Sequence, residues 1–288
     1  MAKHRYGVTE KRIATWSKAG RGSGRGAGYK PWLTINDTSS HGLSSRPPGI
    51  TTGRVHHLLS NHEAGLFYQA EWSPAVVDIR EQFPLPRSET RAIASDMGVL
   101  HPRDRGVDVV MTTDFLLDVR GQDAWLSFDL PPGEGHRLLA IAVKPDEVFG
   151  DMRALDKLEI ERRYWVRRGV AWRLLTAGQL PRGRRIKLQW LMEWYWLDHM
   201  AESLRPAFLS GCQTVLANLA RAGDDTAGAF LDRMDATHCW ERGSALSMVR
   251  HLAAHRRIQM DTDAPYDAWG PLAQIRPASI GTLSLQAA

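Results

Sequence analysis

The sequence has little cysteine and lacks any long hydrophobic run. Two cysteines in 288 residues exclude a disulfide framework and a CxxC metal knuckle, as expected in a reducing compartment. The longest apolar runs, such as LLAIAV at 138–143, fall far short of the ~20 residues needed to span a bilayer. No signal-peptide core follows Met1. We therefore expect a cytoplasmic protein with no membrane partner.

Several catalytic motifs are also absent. The sequence contains no GxxxxGKS/T phosphate loop, no HExxH zinc motif and no GxSxG nucleophile elbow. These absences exclude the common nucleotide-hydrolase, zinc-protease and serine-hydrolase classes. The composition is that of an ordinary globular protein, 43% hydrophobic and 24% charged. The length is sufficient for two separate cores.

The basic charge is concentrated near the N-terminus. Residues 1–50 carry nine Lys and Arg against two Asp and Glu, which gives +7, whereas the whole chain carries +5. The Gly-rich basic segment 19–30 predicts a flexible arm, which either tracks a phosphate backbone or is a plain linker. Thirty of the 37 basic residues are Arg, which suits phosphate binding, although a GC-rich coding bias explains the same excess.

A capping box marks the first helix of the body. Ser60 is predicted to N-cap residues 61–69, and Glu63 completes the box three residues later. Extended segments are predicted at 76–83, 107–119, 138–144 and 170–176, with an amphipathic helix at 151–168. This order of elements predicts an α/β core with a mixed sheet.

The composition changes after residue 178. A linker is predicted at 181–185, followed by helical spacing, a helix at 244–255 and a short strand at 258–260. A helix and a strand with basic residues between them predict a winged-helix-like module. The predicted division is a basic arm at 1–50, an α/β domain at 51–177 and a mainly helical, winged-helix-like domain at 178–288.

Asp114 and Lys144 lie on two consecutive predicted strands. Metal-dependent nucleases of the restriction-endonuclease fold use the pattern D…(D/E/Q)xK. In this pattern acidic residues hold Mg²⁺ and the lysine orients or activates the attacking water. Here the middle ligand position is Ala142, which has no side-chain ligand. An isolated Asp and Lys pair of this kind is more often structural.

Two further carboxylates could complete such a site. A glutamate at position 63 is explained equally well by the capping box and by a role as a metal ligand. Glu161 lies on the apolar stripe of its predicted helix, where an unpaired carboxylate is costly. It therefore requires a cation, either an arginine or a Mg²⁺ shared with Asp114. His56 and His57 match no zinc spacing and are expected to face solvent or DNA.

Together, several motifs resemble the TnsA endonuclease subunits of Tn-seven-like heteromeric bacterial transposons. The resemblance covers nearly the whole chain. The motifs in the body are GRVHHLLS at 53–60, DIREQFP at 78–84, TDF at 113–115, VKP at 143–145 and EIERRYW at 159–165. Shorter matches are GRG at 20–22 and PWLT at 31–34 in the arm, and residues 243–250 in the C-terminal domain.

The resemblance implies a restriction-endonuclease-like catalytic domain at 51–177. It also implies a Mg²⁺-dependent endonuclease, with Mn²⁺ able to substitute, that cuts DNA at the 5′ ends of a transposon during cut-and-paste transposition. A TnsB-type DDE transposase would process the 3′ ends. A TnsC-type AAA+ ATPase would dock on the C-terminal domain.

By position, the resemblance also assigns residue roles. The implied catalytic residues are Glu63, Asp114, Lys144 and Glu161. The implied metal ligands are Glu63, Asp114, Glu161 and the backbone carbonyl of Ala142. The residues expected to grip DNA phosphates are Arg21, Arg25, Lys30, Arg54, His56 and His57.

Two departures from the family pattern leave alternatives open. The family has Gln at the position of Ala142, and the segment 125–136 is longer than expected. One alternative is a catalytically weakened or inactive subunit that binds and bridges DNA. Another is a stand-alone restriction-type endonuclease.

Overall fold

A computed structural model describes residues 7–37, 43–121, 126, 128–132, 135–221, 223 and 225–278. The longer segment predicted at 125–136 lies partly outside the described residues. The chain divides into two units, Met1–Pro181 and Arg182–Ala288. Among the described residues, no helix is both long enough and apolar enough to cross a membrane.

The first unit is built on a mixed β-sheet. Its helices are α1 (Glu10–Lys18), α2 (Asn61–Trp72), α3 (Arg87–Asp96) and α4 (Met152–Val166). Its strands are β1 (Val76–Pro84), β2 (Arg103–Asp104), β3 (Val107–Asp108), β4 (Thr112–Arg120), β5 (His136–Lys144) and β6 (Ala171–Thr176). The main sheet has the order β1-β4-β5-β6, and only β5 and β6 run parallel within it. The predicted mixed sheet is confirmed.

Helix α4 packs on one face of this sheet. Asp151 caps its N-terminus and accepts hydrogen bonds from the amides of Arg153 and Ala154 at 2.9 and 3.1 Å. Ile160 and Trp165 of α4 pack with Leu116 of β4 and with Ala140 of β5 in one buried cluster. This packing turns the inner side of α4 toward the first residues of β4.

The segment 107–119, predicted as one strand, is broken in the structure. β3 pairs with β2 in a short hairpin, and β4 begins only at Thr112. The backbone between them bonds elsewhere, because Val109 donates to the Pro102 carbonyl at 3.0 Å and Met111 accepts from Leu85 at 2.8 Å. These bonds take residues 109–111 out of the strand ladder.

The prediction that the Gly-rich segment 19–30 forms a flexible arm is wrong. Trp16 and Trp32 are buried and meet edge to face, with ring centroids 5.5 Å apart. The buried Tyr29 donates from its hydroxyl to the Glu81 carbonyl of β1 at 3.0 Å. The aromatic residues interspersed among the glycines thus supply the apolar surface that docks this segment on β1.

Two glycines of the segment serve close approach of the backbone. Gly22 has a φ of +79°, and a Cβ built there would lie 2.1 Å from Cγ of Pro84. Gly24 has a φ of +93°, and its Cβ would lie 2.4 Å from the Gly28 carbonyl oxygen. Glycine is required at both positions for steric reasons, so the Gly-rich composition here does not indicate disorder.

The second unit is mainly helical. It contains α5 (Arg182–Met192), α6 (Arg205–Leu219), α7 (Ala227–Thr237) and α8 (Ser244–Ala254), followed by the antiparallel strands β7 (Ile258–Met260) and β8 (Ile275–Pro277). Asp235 accepts from the amides of Gly243 and Ala245 at 2.7 and 2.8 Å and so fixes the start of α8. Within the linker predicted at 181–185, residues 182–185 are instead the first turn of α5, whose Leu188 and Leu191 are buried.

The docking of the N-terminal segment can be tested with a matched pair of substitutions. Gly22→Ala and Gly26→Ala both place a side chain at positive φ, but a Cβ at Gly26 meets open space among the described residues. We expect Gly26→Ala to lower the free energy of unfolding by about 1–2 kcal/mol. Gly22→Ala should lower it by about 1–3 kcal/mol more. Equal values in urea denaturation would contradict the packing of this segment against Pro84.

Candidate active site

Asp114 and Lys144 form an ion pair across β4 and β5. The Asp114 carboxylate is buried, and its Oδ2 accepts from Nζ of Lys144 at 2.5 Å and from the amide of Val143 at 2.7 Å. Lys144 is the last residue of β5, so its half-buried side chain stands where the strand leaves the sheet. The structure therefore brings together the two residues that the sequence pattern singled out.

Glu63 lies on the first turn of α2, as the capping box predicts. Ser60 caps the helix and accepts from the Glu63 amide at 3.1 Å. In return, the Glu63 carboxylate accepts from the Leu59 amide at 2.9 Å and from the Ser60 hydroxyl at 3.2 Å. Its side chain is buried, and its charge interacts with those of Asp114 and Lys144.

Glu161 is buried on the sheet side of α4. Its Oε1 accepts from the indole nitrogen of Trp172 at 3.1 Å, and its charge also interacts with those of Asp114 and Lys144. The indole of Trp165, one turn further on α4, donates to Oγ1 of Thr113 at 2.6 Å. The cation near Glu161 is thus Lys144, not the arginine that the sequence analysis considered.

The electrostatics of this group are dominated by three carboxylates around one ammonium. Burial, and secondly the charge of Asp114, raises the pKa of Glu63 to about 7. The same two causes raise the pKa of Glu161 to about 7. Burial, the largest single effect, would lower the pKa of Lys144, but the charge and hydrogen bond of Asp114 and the charges of Glu161 and Glu63 together outweigh it and raise that pKa. Lys144 therefore stays charged, while the carboxyls of Glu63 and Glu161 are partly protonated near neutral pH.

The chemistry of this donor set suits a hard divalent cation. Carboxylate oxygens are the ligands that Mg²⁺ prefers, and added positive charge would relieve the repulsion that raises the pKa values of Glu63 and Glu161. Within the part of the chain that the structure describes, no three Asp, Glu, His or Cys side chains already converge as a metal site. In this arrangement the Lys144 ammonium compensates the charge of Asp114.

Ala142 is fully buried beside the ion pair. It packs with Val148 and Leu158 in a small apolar cluster. The methyl group of Ala142 stands at the position where the family pattern has the amide side chain of a glutamine. The role of the Ala142 carbonyl as a metal ligand stays a prediction.

The arm residues predicted to grip DNA make contacts within the first unit. Arg21 bonds to Asp37 at 2.6 Å and to the Trp32 carbonyl at 2.9 Å. Arg25, although exposed, pairs with Asp118 of β4, and Lys30 donates to the Ala19 carbonyl at 3.1 Å. These three cations therefore help to hold the N-terminal segment in place.

Arg54 and His56 lie in the interior, contrary to the predicted DNA-facing position. The buried Arg54 guanidinium donates to Oε1 of Glu81 at 2.8 Å, and Nδ1 of the fully buried His56 lies 2.9 Å from Oε2 of Glu81. His57 is half-buried, and its amide donates to Glu81 at 3.0 Å. A buried carboxylate on β1 requires these donors, so they serve the fold.

A residue that the sequence analysis missed lies beside the carboxylates. Gln82 of β1 is buried and has a φ of +49°, a conformation that costs a residue other than glycine about 1–3 kcal/mol. Its Nε2 donates to Oε2 of Glu63 at 3.5 Å, and its Oε1 accepts from the Thr112 hydroxyl at 3.1 Å. Gln82 stands inside the DIREQFP motif, but nothing in that pattern reveals its backbone conformation.

A cleft of about 690 Å³ opens beside the site. Asp114, Lys144 and Glu161 line it, and so do Trp16 and Trp32 of the N-terminal segment. The segment predicted as a free arm is therefore one wall of the cleft that leads to the carboxylates.

The raised pKa of Glu161 predicts how stability depends on pH. This carboxyl has a pKa of about 7 in the folded chain and an ordinary pKa in the unfolded chain. It therefore stabilises the fold at low pH, and the stabilisation is lost as the pH rises through 7. The unfolding free energy of wild type should therefore decrease between pH 5 and pH 8. In EDTA, we expect this decrease to be smaller in Glu161→Gln by about 1–3 kcal/mol.

Glu159→Gln is the matched control, because Arg162 and Arg163 lower the pKa of Glu159 to about 2. That carboxyl is ionised throughout the range, so its removal should leave the pH profile unchanged. Identical profiles for wild type and Glu161→Gln in urea denaturation would refute the assigned environment.

Two family models and one curated relative match this chain. The family model described as TnsA-like endonuclease N terminal matches residues 73–177, which contain Asp114, Lys144 and Glu161. A second model, TnsA endonuclease C terminal, matches residues 188–262. The chain is 38% identical over 261 residues to the transposon Tn7 transposition protein TnsA of Escherichia coli, covering 91% of this chain and 89% of that protein. The chain belongs to the TnsA family of transposition endonucleases.

Proposed function

We propose that this chain is the Mg²⁺-dependent endonuclease subunit of a transposase that cleaves DNA at the 5′ ends of its transposon. The observation that supports this most strongly is the Asp114 and Lys144 ion pair, flanked by the buried carboxylates of Glu63 and Glu161. This is the residue chemistry that a metal-dependent phosphodiester hydrolase needs.

Glu63, Asp114 and Glu161 would hold the cation, with the backbone carbonyl of Ala142 as a further oxygen ligand. Mn²⁺, which accepts the same hard oxygen donors, would substitute for Mg²⁺. When bound, the divalent cation supplies Lewis-acid polarisation of the scissile phosphate.

Lys144 acts on the attacking water and on the phosphate. Its pKa is raised, so its charged ammonium can donate hydrogen bonds to both the water and a phosphate oxygen. The water oxygen forms a bond to phosphorus as the bond to the 3′ oxygen breaks. The products are a 5′ phosphate and a 3′ hydroxyl, with the water protons distributed to the leaving oxygen and to solvent.

We propose that the two units have separate tasks. The first adopts a restriction-endonuclease-like architecture, supported by its mixed four-stranded sheet. The second is winged-helix-like, supported by α8 and the β7–β8 pair that follows it, and docks a TnsC-type AAA+ ATPase. A TnsB-type DDE transposase cuts the 3′ ends at the same transposon DNA, and the cytoplasm is the site of action.

A second candidate is a silent subunit that binds and bridges DNA. It is favoured by the buried Ala142, whose methyl group supplies no metal ligand where the family pattern has an amide. The charge interactions that link Glu63, Asp114, Lys144 and Glu161 favour the active endonuclease.

Substitution of the ion pair separates these candidates. With the partner transposase, the ATPase and a plasmid bearing the transposon ends, Asp114→Asn and Lys144→Ala should each lower the rate of 5′-strand nicking by about 100-fold or more. Strand-specific primer extension reports these nicks, and co-purification with the partners reports assembly, which both variants should retain.

The control variant is Asp96→Asn, which removes an exposed carboxylate paired with Arg167. It should nick at the wild-type rate. Nicking by Asp114→Asn at the wild-type rate would exclude the proposed active site and favour the silent subunit. Cutting at a defined sequence by the purified chain alone would instead indicate a restriction-type enzyme.

A further inference from the structure

Gln82 is the strained residue nearest the candidate active site. Four residues other than glycine have positive φ in the described part of the chain, namely Gln82, Arg105, Cys239 and Arg256. The last three lie in turns, where this conformation is common, but Gln82 lies within β1. A glycine would adopt the same backbone without strain, so the glutamine side chain is the feature that requires explanation.

The register of the sheet places Gln82 level with Asp114. Glu81 pairs with Phe115 and Phe83 pairs with Thr113, and residue 82 is the position between them. The turn of its backbone to positive φ occurs at the point where β1 passes the catalytic aspartate. Strain of this kind concentrates at functional sites, where the surrounding structure holds it in place.

Both ends of the Gln82 amide are engaged. Oε1 accepts from the Thr112 hydroxyl at the start of β4, and this bond sets which way the amide faces. Nε2 then points to Oε2 of Glu63, 3.5 Å away. A neutral donor can orient a carboxylate without neutralising it, and thus leaves the negative charge of Glu63 available to a cation.

The N-terminal segment holds the strained backbone. The amide of Trp32 donates to the Gln82 carbonyl at 3.1 Å, and the buried Trp32 ring packs edge to face on Trp16. The docked segment thus fixes the main chain of Gln82 while Thr112 fixes its side chain.

We propose that Gln82 is a positioning residue of the active site, whose amide holds the Glu63 carboxylate beside Asp114 for cation binding. The inference rests on the proposed function. It adds a residue from β1 to a site otherwise built from α2, β4, β5 and α4.

Gln82→Gly tests this role because it relieves the strain and removes the amide together. We expect its melting temperature to equal or exceed that of wild type. Its affinity for Mn²⁺, measured by isothermal titration calorimetry on the full chain, should fall by about tenfold or more. The Mg²⁺ concentration that gives half-maximal nicking with the partners should rise by a similar factor.

Two further variants complete the test. Gln82→Met keeps the length of the side chain but removes the amide donor to Glu63 without adding charge, and it should weaken Mn²⁺ binding without unfolding the chain. Cys239→Gly relieves the same kind of strain at an exposed turn and should leave Mn²⁺ binding unchanged.

The outcomes distinguish this inference from the proposed function. Wild-type Mn²⁺ affinity in Gln82→Gly, or a loss of affinity accompanied by a lower melting temperature, would overturn the positioning role while leaving the endonuclease intact. A wild-type chain that neither binds Mn²⁺ nor nicks DNA would overturn both.

Discussion

The structure around the site depends on one partly buried ion pair, between Asp114 and Lys144. Burial and, secondly, the charge of Asp114 raise the pKa values of Glu63 and Glu161, and Lys144 is the cation that makes this accumulation of negative charge tolerable in a low-dielectric interior. Charge of this kind is costly for stability and is usual where a protein prepares a site for a cation. The remaining features of the first unit either bring these groups together or shield them.

The N-terminal segment is part of that shielding. Its aromatic residues dock on β1, and its cations pair with carboxylates of the same unit. As a result, the positive charge of this segment is largely committed to internal contacts. The side chains of Arg54 and His56 are likewise committed to contacts with the buried Glu81.

The sequence predicted the framework well because local signals determine it. The capping box at Ser60 and Glu63, the strand ending at Lys144 and the helix that buries Glu161 are all present in the structure. Each follows from periodicity or from a terminus signal within a few residues. The convergence of Asp114 and Lys144 was also predictable, because consecutive strands with matching alternation tend to pair.

The features that were not predictable depend on contacts distant in sequence. A Gly-rich composition predicts a flexible backbone. Gly22, however, packs against Pro84, which lies 62 positions later in the sequence, and no local pattern encodes that contact. The left-handed backbone of Gln82 and the burial of His56 against Glu81 likewise arise only once β1 and the N-terminal segment are assembled. Charge and motif alone therefore did not reveal that Arg54 and His56 lie in the interior.

The central claim is that the carboxylates beside Lys144 gather a divalent cation. The most direct measurement is anomalous diffraction from crystals of the chain soaked with Mn²⁺ in complex with transposon-end DNA. The account predicts a peak among the carboxylate oxygens of Asp114, Glu63 and Glu161, close to the scissile phosphate. A map with ordered DNA in the cleft and no anomalous density among those oxygens would contradict it.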